Sequence, residues 1–207
     1  MEHFSVEQGT PDISYLKLTL DHELVKSRVS ASYCKQVIKD CEKYLKDELS
    51  QKGEDVKNLT GAYKSKTWML HMEKWFESHR DVMLQTIAKC FKAKIAADDH
   101  FNISLIDSWY AKYTDDSIVA PHIHSSTLCR YAFCWYLDSE PDGTILHFTE
   151  RDKNFPFRFF PGDLVIFPGS LMHWSNDTSK NRKIISGNFI LTVEPLQVIE
   201  SRKNLNE

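Results

Sequence analysis

His122 and His124 stand one residue apart, His173 follows an apolar run that starts at Gly162-Asp163, and Arg182 comes nine residues after His173. In an extended strand, residues i and i+2 point to the same side, so His122 and His124 can reach one point while Ile123 faces away. An imidazole pair at that spacing is a natural chelate. A third imidazole from a distant strand completes a facial set of ligands, which leaves one side of a metal open to substrate and oxygen. Imidazole suits iron, zinc, copper and nickel, so ligand type does not choose among them. With nine histidines in the chain, one His-x-His pair alone is weak, because a single histidine is more often a surface or satisfied core residue.

Arg182 adds the discriminating feature. It opens a strand pattern in which Arg182, Ile184, Ser186 and Asn188 share one face, so a guanidinium, a hydroxyl and an amide point together into whatever that sheet encloses. A guanidinium buried there needs an anionic partner, and a carboxylate held bidentately is the best geometric match. The bland alternative is an arginine at a strand edge facing water.

The elements that must position these groups divide the chain in two. In the first half, ISYLKLTL alternates as a strand, with Ile13, Tyr15, Lys17 and Thr19 on one side and Leu16, Leu18 and Leu20 on the other. From about Ser32 to Leu49, Cys34, Val37, Ile38, Cys41, Leu45 and Leu49 recur at helical spacing opposite Lys35, Lys39, Asp40 and Lys43, which predicts an amphipathic helix. Residues 51–62 read as a polar loop punctuated by two glycines. Ser78 with Asp81 has the form of a capping box, and it opens a second helix carrying Val82, Met83, Ile87, Cys90, Phe91 and Ile95 that ends near Ala97. Between the helices, TWMLHMEKWFE (67–77) reads as core or a helix-packing face; in a functional role it would floor a substrate cleft.

From residue 101 the period becomes two. Phe101 to Tyr113, Arg130 to Leu137, Ile145 to Phe148, Leu164 to Phe167 and Ile184 to Val193 are strand candidates separated by turn chemistry. Short strands after a helical segment imply an α+β chain: an antiparallel sandwich or barrel with helices on one face. The expected organisation is one domain over 1–207, with a mainly helical support segment at 1–100, a β core carrying the metal site at 101–193, and a polar tail at 194–207.

Composition excludes several classes. The net charge is −3 with no block of lysine and arginine, so nucleic acid is not indicated as a partner. No apolar run approaches the roughly 18 residues needed to span a bilayer and the N-terminus lacks a secretory pattern, so a soluble, intracellular, cytoplasmic protein is expected, with no membrane partner. Five cysteines at irregular spacing read as reduced, buried thiols. Oligomeric state is not legible.

Taken together, these residues resemble the 2-oxoglutarate- and Fe(II)-dependent oxygenases, in particular their prolyl-4-hydroxylase-like branch with its bacterial and phage members. The resemblance lies in Tyr113 upstream of His122-Ile123-His124, the strand Cys134 to Leu137, the run Ile145 to Phe148, Gly162-Asp163 to His173, and Arg182 with Ser186 and Asn188. It spans about residues 101–193 and rests on joint spacing. It implies a double-stranded β-helix (jelly roll) with N-terminal helices packed on one face, and Fe(II) held by His122 and His173. His124 stands at the family's usual aspartate or glutamate. Arg182 would pair with the distal carboxylate of 2-oxoglutarate, helped by Tyr136 and Ser186, with Tyr113 lining the pocket. The implied enzyme is a dioxygenase that consumes O2 and 2-oxoglutarate, releases succinate and CO2, and hydroxylates a peptidyl or small-molecule substrate.

The departure at His124 leaves two options open: a three-histidine site, or a non-ligating His124 with an open position, as in related halogenases, and Ser125 or a water nearby. Glu150 and Asp138 are replacement carboxylates without support from spacing. A cupin shares the jelly-roll shape, and Gly162 through Pro168 to His173 with Asn176 resembles its second motif. That pattern asks for a glutamate three or four residues after the paired histidines, however, and here no acid precedes Asp138. It also gives Arg182 no task. A non-catalytic β-sandwich with structural histidines is the third reading.

Overall fold

The computed structural model of the chain describes residues 3–5, 14–17, 23–46, 49–51, 59–65, 68–92, 99–124, 130–175 and 181–195. In chain order these form β1 (His3–Ser5), β2 (Ser14–Lys17), β3 (Glu23–Arg28), α1 (Ala31–Tyr44), β4 (Leu49–Gln51), β5 (Leu59–Ser65), α2 (Glu77–Lys92), β6 (Asp99–His122), β7 (Tyr131–Asp138), β8 (Thr144–Glu150), β9 (Lys153–Phe159), β10 (Asp163–Pro168), β11 (Met172–Ser175) and β12 (Lys183–Pro195). The strands pair in the order β1-β2-β3-β10-β7-β12-β6-β11-β8-β9, with β5 joined to β6 and β4 to β5, and all these pairs are antiparallel.

Strand β6 closes the jelly roll. Its residues 99–112 pair with β12, whereas Val119 and His122 pair with β11, so this one strand joins β12 to β11 in the continuous sheet. Strand β7 shows why the centre reads as a continuous apolar run: every residue from Ala132 to Leu137 is buried. Phe133, Trp135 and Leu137 pack with Cys34, Val37 and Cys41 of α1 and Met83, Ile87 and Cys90 of α2. Ala132, Cys134 and Tyr136 turn inward to meet Leu146, Phe148, Phe157, Val165 and Phe167. A strand buried on both faces loses the alternation of a half-exposed one.

The expected jelly roll with helices on one face is the observed fold, but several boundaries differ. Helix α1 begins where Ser30 Oγ accepts from the Tyr33 amide and stops at Leu45, whose N–H donates to the Cys41 carbonyl, so Leu49 is not helical and instead pairs with Ser65 across β4 and β5. The glycine-punctuated stretch 51–62 was expected to be a loop, yet it contributes the start of β5, which pairs with β6. Ser78 lies inside α2 and does not cap it, because a 3₁₀ turn at Lys74–Phe76 leads straight into Glu77. The expected helix end near Ala97, with Ile95, falls outside the described residues, as do Ile13 and Leu18 to Leu20 of the first strand candidate and the tail after Pro195. Among the described residues, the segment 1–100, expected to be mainly helical, therefore supplies β1 to β5 as well as α1 and α2, and β3 extends the main sheet through β10.

That extension has a fastening. The Asp163 carboxylate, fully buried, accepts from Arg28 Nε at 3.0 Å and from the Phe160 amide at 2.9 Å, with Lys26 Nζ at 3.6 Å. Gly162 precedes it at φ +97°, and its amide donates to the Tyr136 carbonyl.

Candidate metal centre and anion pocket

His122 is the last residue of β6 and sits directly across from His173 on β11. His124 lies just beyond the strand end, and its backbone N–H donates to the Gly169 carbonyl at 2.8 Å, which ties it to the turn between β10 and β11. One ligand atom from each of the three imidazoles falls within 4.8 Å of the others. Thus all three histidines expected from the sequence meet at one point, although His124 gets there from a loop and not by strand alternation.

The backbone sets which ring nitrogens face that point. His122 Nδ1 lies 2.9 Å from the Ala120 carbonyl and His173 Nδ1 lies 3.0 Å from the Leu171 carbonyl. A carbonyl only accepts, so each Nδ1 carries the proton and each Nε2 lone pair is left for a metal. His124 Nε2 approaches His173 Nε2 to 3.3 Å with the two rings nearly parallel, a contact a shared cation would satisfy. Burial holds the His173 pKa well below the usual imidazole value, and the neighbouring His122 and His124 push the same way against the Leu171 carbonyl. Neutral imidazole is the ligating form. Phe167 and Phe148 pack on the His173 ring and fix it.

The replacement carboxylates do not reach this point. Asp138 faces Lys183 Nζ at 3.4 Å, Glu150 is buried at the end of β8, two residues from Phe148, and among the described residues neither belongs to the three-histidine group. Ser125 and Asn176 fall outside the described residues.

The histidines open into a cavity with about 550 Å³ of empty space, its mouth included, walled by Trp109, Val119, Leu146, Phe167 and Ile184. Arg182, only 2% exposed, lines the same cavity. The Arg182 Cζ lies over the Tyr113 ring, 3.8 Å from its centroid, and the Tyr113 amide donates to the Arg182 carbonyl at 2.8 Å. Nη1 donates to Ser175 Oγ at 2.9 Å. Nε and Nη2 have no partner among the described residues. Those two donors form one edge of the guanidinium, the fork that grips a carboxylate with two parallel hydrogen bonds. A buried, charged donor pair left open in a cavity is expensive unless an anion fills it.

Tyr136 and Ser186 line the same cavity. Burial raises the Tyr113 phenol to about 12 and the Tyr136 phenol well above its ordinary value, so both offer O–H donors, not phenolates that would repel an anion. Asn188 departs from expectation. It lies on β12, but its amide donates to both carboxylate oxygens of Asp107, at 2.8 and 3.0 Å, and it is not among the residues lining the cavity. A register shift in β12 between Asn188 and Phe189 marks where the regular pairing with β6 breaks.

Trp109, Val119 and Ser175 line the cavity and were not singled out from the sequence. Ser175 holds Arg182, and its position two residues after His173 was the available signal, since i and i+2 share a face. Trp109 lines the cavity and carries the half-exposed Trp68 ring at 4.7 Å. The 67–77 cluster thereby reaches the cavity's edge through Trp68, while Leu70 and Phe76 are core.

No family model and no curated protein matches this sequence. Solved structures do match the fold. A prolyl-4-hydroxylase from Pseudomonas putida aligns with a TM-score of 0.61 at 13% identity, covering 82% of this chain and 92% of that one. A prolyl hydroxylase from Trichoplax adhaerens, solved with a peptide fragment of the hypoxia-inducible factor oxygen degradation domain, gives 0.62 at 11% identity over 81% and 83%. A 2-oxoglutarate-Fe(II) oxygenase family oxidoreductase from Burkholderia pseudomallei gives 0.55 at 11% identity over 82% and 84%. The chain therefore has the fold of the prolyl-4-hydroxylase-like 2-oxoglutarate and Fe(II) oxygenases.

Proposed function

We propose that the protein is an Fe(II)- and 2-oxoglutarate-dependent dioxygenase that hydroxylates a peptidyl or small-molecule substrate. The observation that carries this reading is the open Nε–Nη2 edge of Arg182 in the cavity that also holds the three histidines. A metal at one point and a carboxylate fork in the same pocket suit a ligand that chelates through one end and presents a second carboxylate at the other, which describes 2-oxoglutarate. A cupin-type site accounts for the histidines but leaves the buried fork unexplained.

The residues divide the work. His122, His124 and His173 would hold the metal through nitrogens kept neutral and aimed, two of them by backbone carbonyls. Arg182 would bind the distal carboxylate, Tyr113 keeps the guanidinium plane in place, and Ser175 fixes its rotation. Trp109, Val119, Leu146, Phe167 and Ile184 keep the cavity dry, which strengthens each of these contacts. Fe(II), when bound, would supply oxygen activation coupled to oxidative decarboxylation of 2-oxoglutarate to succinate and CO2. No carboxylate lines the cavity among the described residues, so three neutral ligands leave the full metal charge to attract a dianion. The likeness to the Trichoplax enzyme solved with a peptide supports a peptidyl substrate, and the half-exposed Trp68 on Trp109 offers an apolar lip for one.

The test is anaerobic addition of Fe(II) followed by 2-oxoglutarate. A visible metal-to-ligand charge-transfer band is expected, with succinate released on admitting O2. Absence of both overturns the reading. Comparing succinate yield across proline-containing peptides, free amino acids and small metabolites then identifies the substrate class.

A further inference from the structure

Of the four described cysteines, Cys34, Cys41 and Cys90 are buried in the core between helices and sheet, and Cys134 alone lines the cavity. It pairs with Ser186 across β7 and β12, and Ser186 and Tyr136 line the cavity with it. The Arg182 charge acts on it directly. The thiol thus lines the same pocket as Arg182, whose Nε and Nη2 have no partner among the described residues.

We propose that Cys134 is a covalent modification site for unsaturated dicarboxylates, which Arg182 holds by one carboxylate with the alkene carbons against the thiol. The inference rests on reading Arg182 as a carboxylate clamp. The reaction is an addition: the S–H bond breaks, sulfur bonds to one alkene carbon, the proton goes to the neighbouring carbon, and a thioether of the saturated dicarboxylate remains. No oxidant or reductant is required. Saturated 2-oxoglutarate has no alkene and binds without reacting, whereas the thioether would occupy the cosubstrate's place.

Burial pushes the Cys134 thiol up to about 11, so it is overwhelmingly protonated near neutral pH. Untethered electrophiles therefore meet a sluggish thiol, and reaction depends on the pocket concentrating the reagent beside it. Selectivity follows from that dependence. A carboxylate-bearing alkene is drawn in by Arg182, and the labelling rate should rise about tenfold per pH unit while the pH stays below the thiol pKa.

The experiment incubates the metal-free full-length protein with fumarate and reads intact mass, followed by peptide mapping, which separates Cys134 from Cys129 and the other thiols. In parallel, the shift of the unfolding midpoint with succinate measures reversible dicarboxylate binding. Expected are a single adduct on Cys134, a rate that saturates with fumarate, suppression by succinate, and a rate at least about tenfold lower in Arg182→Met, where the charge-assisted fork is lost. The succinate arm is read on the unaltered chain and does not depend on the variant folding. Succinate binding without a Cys134 adduct overturns this inference and leaves the proposed function standing. An adduct on another cysteine, or one that forms in proportion to fumarate and ignores succinate, also overturns it. Absence of any dicarboxylate binding overturns both.

Discussion

Arg182 and Ser175 are joined by one hydrogen bond, from Nη1 to the hydroxyl oxygen at 2.9 Å, and Ser175 stands two residues from His173 on the same strand. Ser175 Oγ also donates to the Ile145 carbonyl at 2.9 Å, so its hydrogen is engaged on β8 and its lone pair is turned to the arginine. With one Nη1 hydrogen held there, the rotation of the guanidinium is fixed, and the Nε–Nη2 edge is the one with both donors open among the described residues. β11 therefore carries a histidine of the metal group and the residue that orients the anion clamp.

Ser175→Ala removes the acceptor and leaves the Tyr113 stack. A hydrogen bond to a charged group contributes ~1.5–3 kcal/mol. The expected outcome is a KM for 2-oxoglutarate raised by about tenfold with kcat changed by less than about threefold, an unchanged Fe(II) affinity, and substantial recovery in Ser175→Thr, which restores the hydroxyl. Steady-state succinate kinetics at varied 2-oxoglutarate check it; a fall in kcat and Fe(II) affinity with KM intact would show a merely structural serine.

Arg182→Met keeps most of the side-chain volume and deletes the fork. Loss of two charge-assisted hydrogen bonds should weaken 2-oxoglutarate binding by about a hundredfold, ~3 kcal/mol, while Fe(II) binding stays within about threefold. The ligand-free variant should also be more stable than the parent, because an open buried guanidinium edge costs free energy until an anion arrives. Calorimetric titration and urea unfolding measure the two effects.

The central strands were legible as apolar runs bounded by turn residues, with Gly162-Asp163 marking the start of β10, and Arg182, Ile184 and Ser186 line the cavity together as period-two alternation predicts. Strand β9 was not among the strand candidates although Phe155, Phe157 and Phe159 alternate; Pro156 sits inside it and the hairpin turn before it lacks glycine. Arg151 and Asp152 take φ of 48° and 62° there, the left-handed pair a tight hairpin requires, and β9 is an edge strand, where proline is tolerated. Asn188 was misjudged because alternation says which side a residue faces but not which neighbour claims it, and Asp107 lies directly opposite in the β12–β6 pairing. Ser175 needed the fold, since only the sheet brings residue 175 to residue 182.

His124 separates two site architectures. With its Nε2 3.3 Å from His173 Nε2, it is placed to ligate, and His124→Ala should weaken Fe(II) binding by at least about tenfold. His124→Asp should recover metal binding and lower the positive charge of the loaded site, weakening its attraction for 2-oxoglutarate. Metal titration followed by cosubstrate titration distinguishes these, and an unchanged Fe(II) affinity in His124→Ala would assign the open-position alternative.

Gly162→Ala tests the joint between β3 and β10. A Cβ at residue 162 would lie 2.2 Å from the Val29 carbonyl oxygen, on a backbone at φ +97° that L side chains avoid. The Val29 N–H also donates to the Gly162 carbonyl there at 2.8 Å, so the two segments cannot separate without losing that hydrogen bond. Destabilisation of more than about 2 kcal/mol is expected from strain and clash together. Denaturant unfolding gives the value, and a loss under 0.5 kcal/mol, the roughly neutral range for surface changes, would mean the joint is slack.

His71 governs a separate pH response away from the cavity. Its backbone N–H and its Nδ1 both meet Ser108 Oγ at 2.9 Å, and the hydroxyl, already accepting from the amide, donates to the ring nitrogen. Protonating Nδ1 would set two donors against each other, and burial first, with the Arg80 charge, holds the His71 pKa below 6.5 despite Asp107. Below pH 6.5 the unfolded chain therefore binds more protons at this position than the folded one, so this contribution to stability is fully present above that pH and falls as pH drops towards the folded pKa. His71→Asn keeps a polar partner for Ser108 without a titrating group. Urea unfolding of both proteins from about pH 7.5 to about pH 5.5 should show the wild type losing its advantage over the variant as pH falls, with shared titrations cancelling in the difference. A difference that stays constant over that range would mean His71 titrates alike in the folded and unfolded chains.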